Sequence, residues 1–343
     1  MRRVAAFVSL ILLGLVIAAT ATWGTLALTY SGPRDEILRN GLTAAFAIVS
    51  LSALATLVSP RWRWRVLAGY VALFAVLMIW WRGIEPSNDR NWQTDVAVLP
   101  DALIEGDVVT VRNIRNFQYR SEFDYAPAYY DKRFDLAKLE GVDLVAVYWM
   151  GPAIAHIFMS FAFADGEHLA ISIEARNEKG EGYSTVKGFF KQNELFYVVA
   201  DERDVIRLRT NYRHNPTEDV YVYRLQGTKE SSKRFFLEYM NKIHALTTQP
   251  EFYNTLTTNC TTNIWFHSLV NTGHVPFSWK ILASGYVPEY LYEHGRLDTR
   301  VPFAELQHRA HVNPRAQTAD VADFSRLIRA NEAAVPAGAA DKN

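Results

Sequence analysis

The one cysteine of this 343-residue chain, Cys260, sits in the run Thr257-Thr258-Asn259-Cys260-Thr261-Thr262-Asn263-Ile264-Trp265. Short polar residues of the helix-capping kind precede it, and Ile264, Trp265, Phe266, Leu269 and Val270 supply an apolar run after it. This order reads as the start of a helix. Free amide groups and the positive end of the helix dipole favour thiolate there, so the position suits a nucleophile. The competing reading is a small buried hydrophobe, because free cysteine is among the most buried residue types.

A thiol nucleophile needs a base, and the base gains from a third group that fixes its orientation. The hairpin from Ile154 to Arg176 offers both. Ile157, Met159, Phe161, Phe163, Leu169, Ile171 and Ile173 alternate onto one face, with His156, Ser160, Ala162, His168, Ala170, Ser172, Glu174 and Arg176 on the other and Phe158 as the apolar exception. With Ala164-Asp165-Gly166 as a three-residue loop, residues whose numbers add to 330 lie opposite each other, which sets His156 against Glu174. A two-residue loop shifts the register by one and opposes the wrong faces. His168 then faces Ala162, a weaker place for an oriented base, although it remains the alternative third residue. His267 follows Cys260 by two helical turns, roughly 10 Å away and too far for direct proton transfer. Nine histidines are present, so chance co-occurrence is a real competitor. No clustered metal-ligand spacing, phosphate-cradling glycine loop or Gly-x-Ser-x-Gly elbow accompanies them, and neither metal nor cofactor is expected.

The elements that must position these groups begin after a membrane anchor. Val4 to Tyr30 is uncharged and longer than the roughly 20 residues a helix needs to cross a bilayer. A signal peptide cleaved near Ala19-Thr20-Ala21 is the rival. Two further apolar runs, Gly41 to Val58 and Val66 to Trp81, favour three spanning helices. Arg2, Arg3, Arg61, Arg63 and Arg65 mark the cytoplasmic side, which puts everything after Arg82 outside the cytoplasm. Lysine plus arginine equals aspartate plus glutamate at 36 each, so no charge excess suggests nucleic acid.

Within the soluble part, strands are expected at Asp95 to Leu99, Val108 to Asn113, Val142 to Met150, Leu195 to Val199, Val205 to Leu208 and Val220 to Leu225. Helices are expected over Ser231 to Leu246, near Pro288 to His294 and around Val321 to Ile328, followed by a disordered tail. Arg207, Arg209 and Arg213 form a cationic patch that reads as solvated loop charge, with phosphate headgroups as the minority partner.

The runs Ala155-His156-Ile157-Phe158-Met159-Ser160-Phe161, Ile171 to Arg176, Val198 to Arg203, Arg207 to Asn211, and Phe252-Tyr253-Asn254 with Asn259-Cys260-Thr261-Thr262 resemble the Lnb N-terminal periplasmic domain family. That family is named for a bacterial lipoprotein N-acyltransferase. It resembles circularly permuted papain-like, NlpC-related thiol enzymes, in which histidine precedes cysteine. The resemblance spans roughly residues 90 to 330. It implies Cys260 as the acyl-accepting nucleophile and His156 as its base, with Glu174 the third member. The expected fold is therefore α+β: a three-helix anchor over 1–86, a permuted papain-like domain with an antiparallel sheet over 87–310, and a C-terminal helix and tail over 311–343. The expected function is a bacterial inner-membrane, multi-pass thiol acyltransferase acting on membrane lipids or lipoproteins from the periplasmic side. A cell-wall peptidase or amidase on the same Cys-His site, and a non-enzymatic interaction module, are the alternatives.

Overall fold

Apolar runs that leave no polar face become three long helices, α1 (Arg2–Ser31), α2 (Glu36–Thr56) and α3 (Arg63–Arg82). These and all coordinates below come from a computed structural model that describes residues 2–182 and 184–330. Each of the three is long and apolar enough to cross a membrane. Leu12, Leu15, Leu51 and Ile79 point outward, while Ile17, Phe46, Tyr70 and Leu77 pack inward. Gly24 permits this approach, because a Cβ there would stand 2.6 Å from the Phe46 ring. The Asp35 side chain caps α2 by accepting from Leu38 N at 2.8 Å. Residues 184–193 cluster with these helices, forming one compact unit with residues up to 87. Phe190 stacks on Tyr30, and Lys191 Nζ donates to the carbonyls of Trp81 and Ile84.

The second unit holds residues 88–182 and 194–330. Its strands are β1 (Asp101–Glu105), β2 (Val108–Arg115), β3 (Gln118–Tyr119), β4 (Tyr125–Ala126), β5 (Tyr129–Asp135), β6 (Leu139–Tyr148), β7 (Ala155–Phe163), β8 (His168–Arg176), β9 (Glu194–Ala200) and β10 (Asp219–Arg224). Between them and after them come α4 (Glu202–Arg207), α5 (Lys229–Thr248), α6 (Cys260–Ser268), α7 (Trp279–Leu282), α8 (Val287–Glu293), α9 (Phe303–Ala310), α10 (Asn313–Thr318) and α11 (Phe324–Leu327). The main sheet runs β1-β2-β9-β8-β7-β6-β10, with β5 also on β2; β3 and β4 form a separate pair. It is mixed rather than purely antiparallel, since Arg115 of β2 meets Ala200 of β9 in a parallel pairing.

Both faces of this sheet are covered, a point where the alternation of the hairpin misled. The expected apolar face packs on Phe235, Phe236, Tyr239 and Met240 of α5 and on Ile264 of α6. The opposite face, on which the alternation places His156, Ser160, Ser172 and Glu174, is a second core in which Phe158, Ala170, Phe196 and Val198 meet Val205 and Ile206 of α4, Ala316 of α10 and Phe324 of α11. Ser160 and Ser172 tolerate that burial because each hydroxyl has a hydrogen-bond partner.

Two expected strands are absent for local reasons. Around Asp95 the chain makes a 3-10 turn, Thr94–Val96, whose carbonyls are taken by guanidinium groups: Arg115 binds Asp95 O, and Arg176 binds Val96 O and Ala97 O. Val205 to Leu208 is helical instead, with Asp204 of α4 buried against Arg115 at 2.8 Å. At the C-terminus the helix expected around Val321 to Ile328 is the short α11, preceded by a further short helix, α10, and the part of the expected disordered tail from 331 on lies outside the described residues.

Candidate functional site

Asn259 fixes the start of α6. Its side chain accepts from Thr262 N, while Thr262 Oγ1 accepts from Asn259 N at 2.9 Å, a reciprocal capping box. Cys260 is thereby the first helical residue, as its flanking residues predicted. Thr261 Oγ1 then donates to Ile281 O at 2.6 Å, tying α7 to the same turn. The backbone amides of Ile157, Thr261 and Cys260 face the Cys260 sulfur.

Opposite this helix start the sheet divides. The β7–β8 ladder runs only from Met159↔Ile171 to Ala162↔His168, all in the register predicted, and stops short of the strand ends. Phe163 N donates to Glu167 O, and Gly166 takes a positive φ of 76°, so the loop is the three-residue one. Beyond Met159, β7 continues along β6 and β8 continues along β9. His156, the Ile157 amide, Ser172 and Glu174 all belong to the separated stretch.

The start of β7 is held from outside. Ser284 Oγ accepts from Ala155 N, Gly285 N donates to Ala153 O, and Tyr148 OH donates to Gly285 O. Position 285 admits only glycine, since a Cβ there would lie 2.0 Å from Pro152 O.

His156 and Glu174 do come together, but through a residue the sequence reading placed on their face without giving it a role. His156 Nε2 is 2.6 Å from Ser172 Oγ, and Ser172 Oγ donates to Glu174 Oε1 at 2.8 Å. The direct separation of His156 Nε2 from Glu174 Oε1 is 3.7 Å. A carboxylate accepts only, so the single Ser172 proton goes to Glu174, and His156 must supply the proton between itself and Ser172. This assigns the Nε2–H tautomer and leaves Nδ1 with the lone pair. The described residues offer no hydrogen bond to Nδ1 and none between His156 and Cys260. The thiol rests on the α5–α6 core, whereas the imidazole lies beside Phe158 of the opposite core.

Two of the three arginines of the patch, Arg209 and Arg213, prove to be part of this surrounding and not solvated loop charge. Arg209 Nη2 reaches Glu174 at 3.4 Å and its Nη1 reaches Glu218 at 3.3 Å; Arg213 pairs with Glu218 and Glu122. Burial, reinforced by Arg209 and Arg213 and opposed by Glu174, pushes the His156 imidazole down to about 3. Glu174 is held at about 2: burial works against this, but His156, Arg209, Arg115 and the Ser172 hydrogen bond outweigh it. Near neutral pH the pair is therefore an uncharged imidazole and a carboxylate. The Cys260 thiol moves the other way from the sequence expectation. Burial raises it above the ordinary cysteine value, more than the three amides lower it, and Glu174 adds to the rise.

His168 is not part of this group. Four residues up β8 from Ser172, roughly 13 Å along the strand, it joins Asp143 and Glu202, with ligand-type atoms of all three within 4.8 Å. The two carboxylates there are already bridged by Arg329, and Asp143 is paired with Arg224 as well. That cluster is a buried ion network with its charge satisfied. His267, the local rival, is buried and bonded to Tyr197 OH at 2.7 Å.

A histidine on a strand, a following cysteine at a helix start and the intervening sheet all fall in one matched segment. Residues 125–285 match the family model of the Lnb N-terminal periplasmic domain. This is the family that the sequence motifs resemble, and the match spans β4 through the Gly285 turn, including His156, Ser172, Glu174 and Cys260. No curated protein and no solved structure matches the chain. The Lnb-type segment contains its own positioning devices, the Asn259 cap and the Gly285 contact. Of these, Asn259 was visible as a capping residue, whereas Ser172, Arg209 and Gly285 gained their roles only from tertiary neighbours.

Proposed function

We propose that this protein is a membrane-anchored cysteine acyltransferase, with its permuted papain-like domain on the periplasmic side of the bacterial inner membrane. The observation that carries the reading is the oriented relay of His156, Ser172 and Glu174, which leaves Nδ1 free to accept a proton; the same divided stretch of sheet carries the Ile157 amide that faces Cys260 Sγ, and proton transfer requires the imidazole to turn from the Phe158 side toward that sulfur. In the first half-reaction His156 Nδ1 takes the thiol proton as sulfur attacks an ester carbonyl. A C–S bond forms, the C–O bond breaks, and the imidazolium returns its proton to the leaving alkoxide. In the second, an amine or water attacks the thioester and loses a proton to His156; the C–S bond breaks, and that proton restores the thiol. Amide donors beside Cys260 suit the oxyanion of each tetrahedral intermediate. Glu174 stabilises the imidazolium through Ser172 without itself becoming protonated.

The family resemblance and the anchor support a lipid or lipoprotein donor. Mass spectrometry of Cys260 after incubation of the full chain with bacterial membranes tests this. An acyl thioester adduct, absent from Cys260→Ala, is expected. Turnover of purified muropeptides without any adduct would replace acyl transfer by wall hydrolysis, and an unchanged cellular phenotype in both Cys260→Ala and His156→Ala would leave an interaction module.

A further inference from the structure

Three aromatic side chains that follow the Cys260 turn face outward: Trp279 is 61% exposed, Phe277 53% and Phe266 52%. Trp265 joins two of them, its ring centroid 5.2 Å from that of Phe266 and 5.2 Å from that of Phe277. Trp279 meets Tyr286 edge-on at 5.5 Å, and the next residue back, Gly285, bonds Ala153 O, which brings the exposed Met150 and Ile154 of the β6–β7 turn to the same side. These segments carry almost no charge. No aspartate or glutamate occurs from Phe252 to Pro288, where Lys280 is the one lysine or arginine, and none of the four occurs from Leu144 to Ala164. Lys280 is itself paired with Glu293 at 2.7 Å. A joined, uncharged apolar patch of this kind marks contact with a partner or a membrane, whereas singly scattered apolar residues need no explanation.

The chain itself indicates what covers it. Each of α1–α3 is long and apolar enough to cross a membrane, and five residues, Gly83 to Ser87, separate the end of α3 from the second unit at Asn88. Fully extended, such a tether reaches at most about 18 Å. Tryptophan and its aromatic relatives favour the headgroup level of a bilayer, and a surface without carboxylates meets no repulsion from anionic headgroups. We infer that this patch docks on the surface of the bilayer that α1–α3 enter, with Phe266, Phe277 and Trp279 at headgroup depth. Thr261 Oγ1 bonds Ile281 O of α7, the helix that begins with Trp279, so docking holds the Cys260 turn beside lipid. The docking stands whether or not Cys260 transfers an acyl group.

The test uses the full chain bearing Cys260→Ala, in nanodiscs of phosphatidylethanolamine and phosphatidylglycerol, with one nitroxide attached through Phe277→Cys or, as the aqueous reference, through Asp165→Cys on the β7–β8 loop. Collision with oxygen, which concentrates in lipid, is compared with collision with a water-soluble nickel chelate. Oxygen is expected to prevail at the Phe277 position and nickel at the Asp165 position. Nickel prevailing at both would overturn the docking. Exclusion of both reagents from the Phe277 position would overturn it as well, and spin–spin broadening would then identify a second copy of the chain as the occupant. A second measurement keeps Cys260 and alkylates it with a maleimide borne on a phospholipid headgroup. Phe277→Gln combined with Trp279→Gln is expected to slow that reagent by roughly tenfold or more while leaving soluble iodoacetamide unaffected. Equal effects on the two reagents would refute the docking.

Discussion

Ser172 Oγ lies 2.6 Å from His156 Nε2, more than 1 Å closer than the nearest oxygen of Glu174, at 3.7 Å. The serine is thus the direct partner of the imidazole, and the carboxylate acts through it. Ser172→Ala would strand the Nε2–H in a buried site, a loss of about 1–3 kcal/mol. Acyl-probe transfer to Cys260 is expected to fall by roughly 5- to 150-fold. Glu174→Gln should fall further, because it removes the charge that stabilises the imidazolium while leaving a group able to bond Ser172. Labelling rates of the two variants, compared at equal folded fraction, check the order; a Ser172→Ala protein as fast as wild type would rule out the relay.

A thiol raised by burial and an imidazole kept neutral predict a slow resting nucleophile. Iodoacetamide alkylation of Cys260 is expected to climb with pH without levelling before the ordinary cysteine value is passed. His156→Ala should leave that profile in place, since no hydrogen bond joins the two groups. A plateau reached below pH 7 would instead reveal a preformed thiolate–imidazolium pair.

Acid should destabilise the fold through its buried histidines. Burial pushes His156 and His267 each down to about 3. An unfolded chain takes up those protons near 6.5, so their contribution is complete above that value and is lost as pH falls through 3. The slope is about 1.4 kcal/mol per pH unit for each group inside that window. Thermal melting of the full chain in detergent between pH 7 and 4 measures it. His267→Gln, which keeps a partner for Tyr197 OH, should melt with a shallower pH dependence than wild type.

Gly285 tests how the start of β7 is held. Gly285→Ala places a Cβ 2.0 Å from Pro152 O, so the backbone must move. The expected cost is about 1–3 kcal/mol, with slower Cys260 labelling per folded molecule because Ala155 and His156 shift with the turn. Melting and labelling that both match wild type would show that the contact relaxes freely.

Asn259 tests the other anchor of the site. Loss of its cap in Asn259→Ala is expected to cost about 1 kcal/mol, whereas Asn259→Asp keeps an acceptor for Thr262 N and should retain most of the stability. Urea unfolding of the three proteins separates the cap from a general effect of substitution.

Local pattern alone determined the three apolar helices, the Cys260 helix start and the 330 register that sets β7 against β8. Each depends on near neighbours in the chain: hydropathy over one span, capping types around one residue, and alternation across one short loop. Tertiary structure decided what covers the sheet and what the site contains. Alternation marked the His156 face as polar, yet α4, α10 and α11 bury it, because residues far along the chain supply its second core. Arg209 and Arg213 looked like solvated charge until Glu174 and Glu218 arrived from other elements. The divergence of β7 from β8, which leaves Ser172 between His156 and Glu174, is likewise set by β6 and β9, the strands that each follows after they part. Pairing energies shared among four strands are not written in any one of them, so spacing named the members of the site and packing chose how they connect.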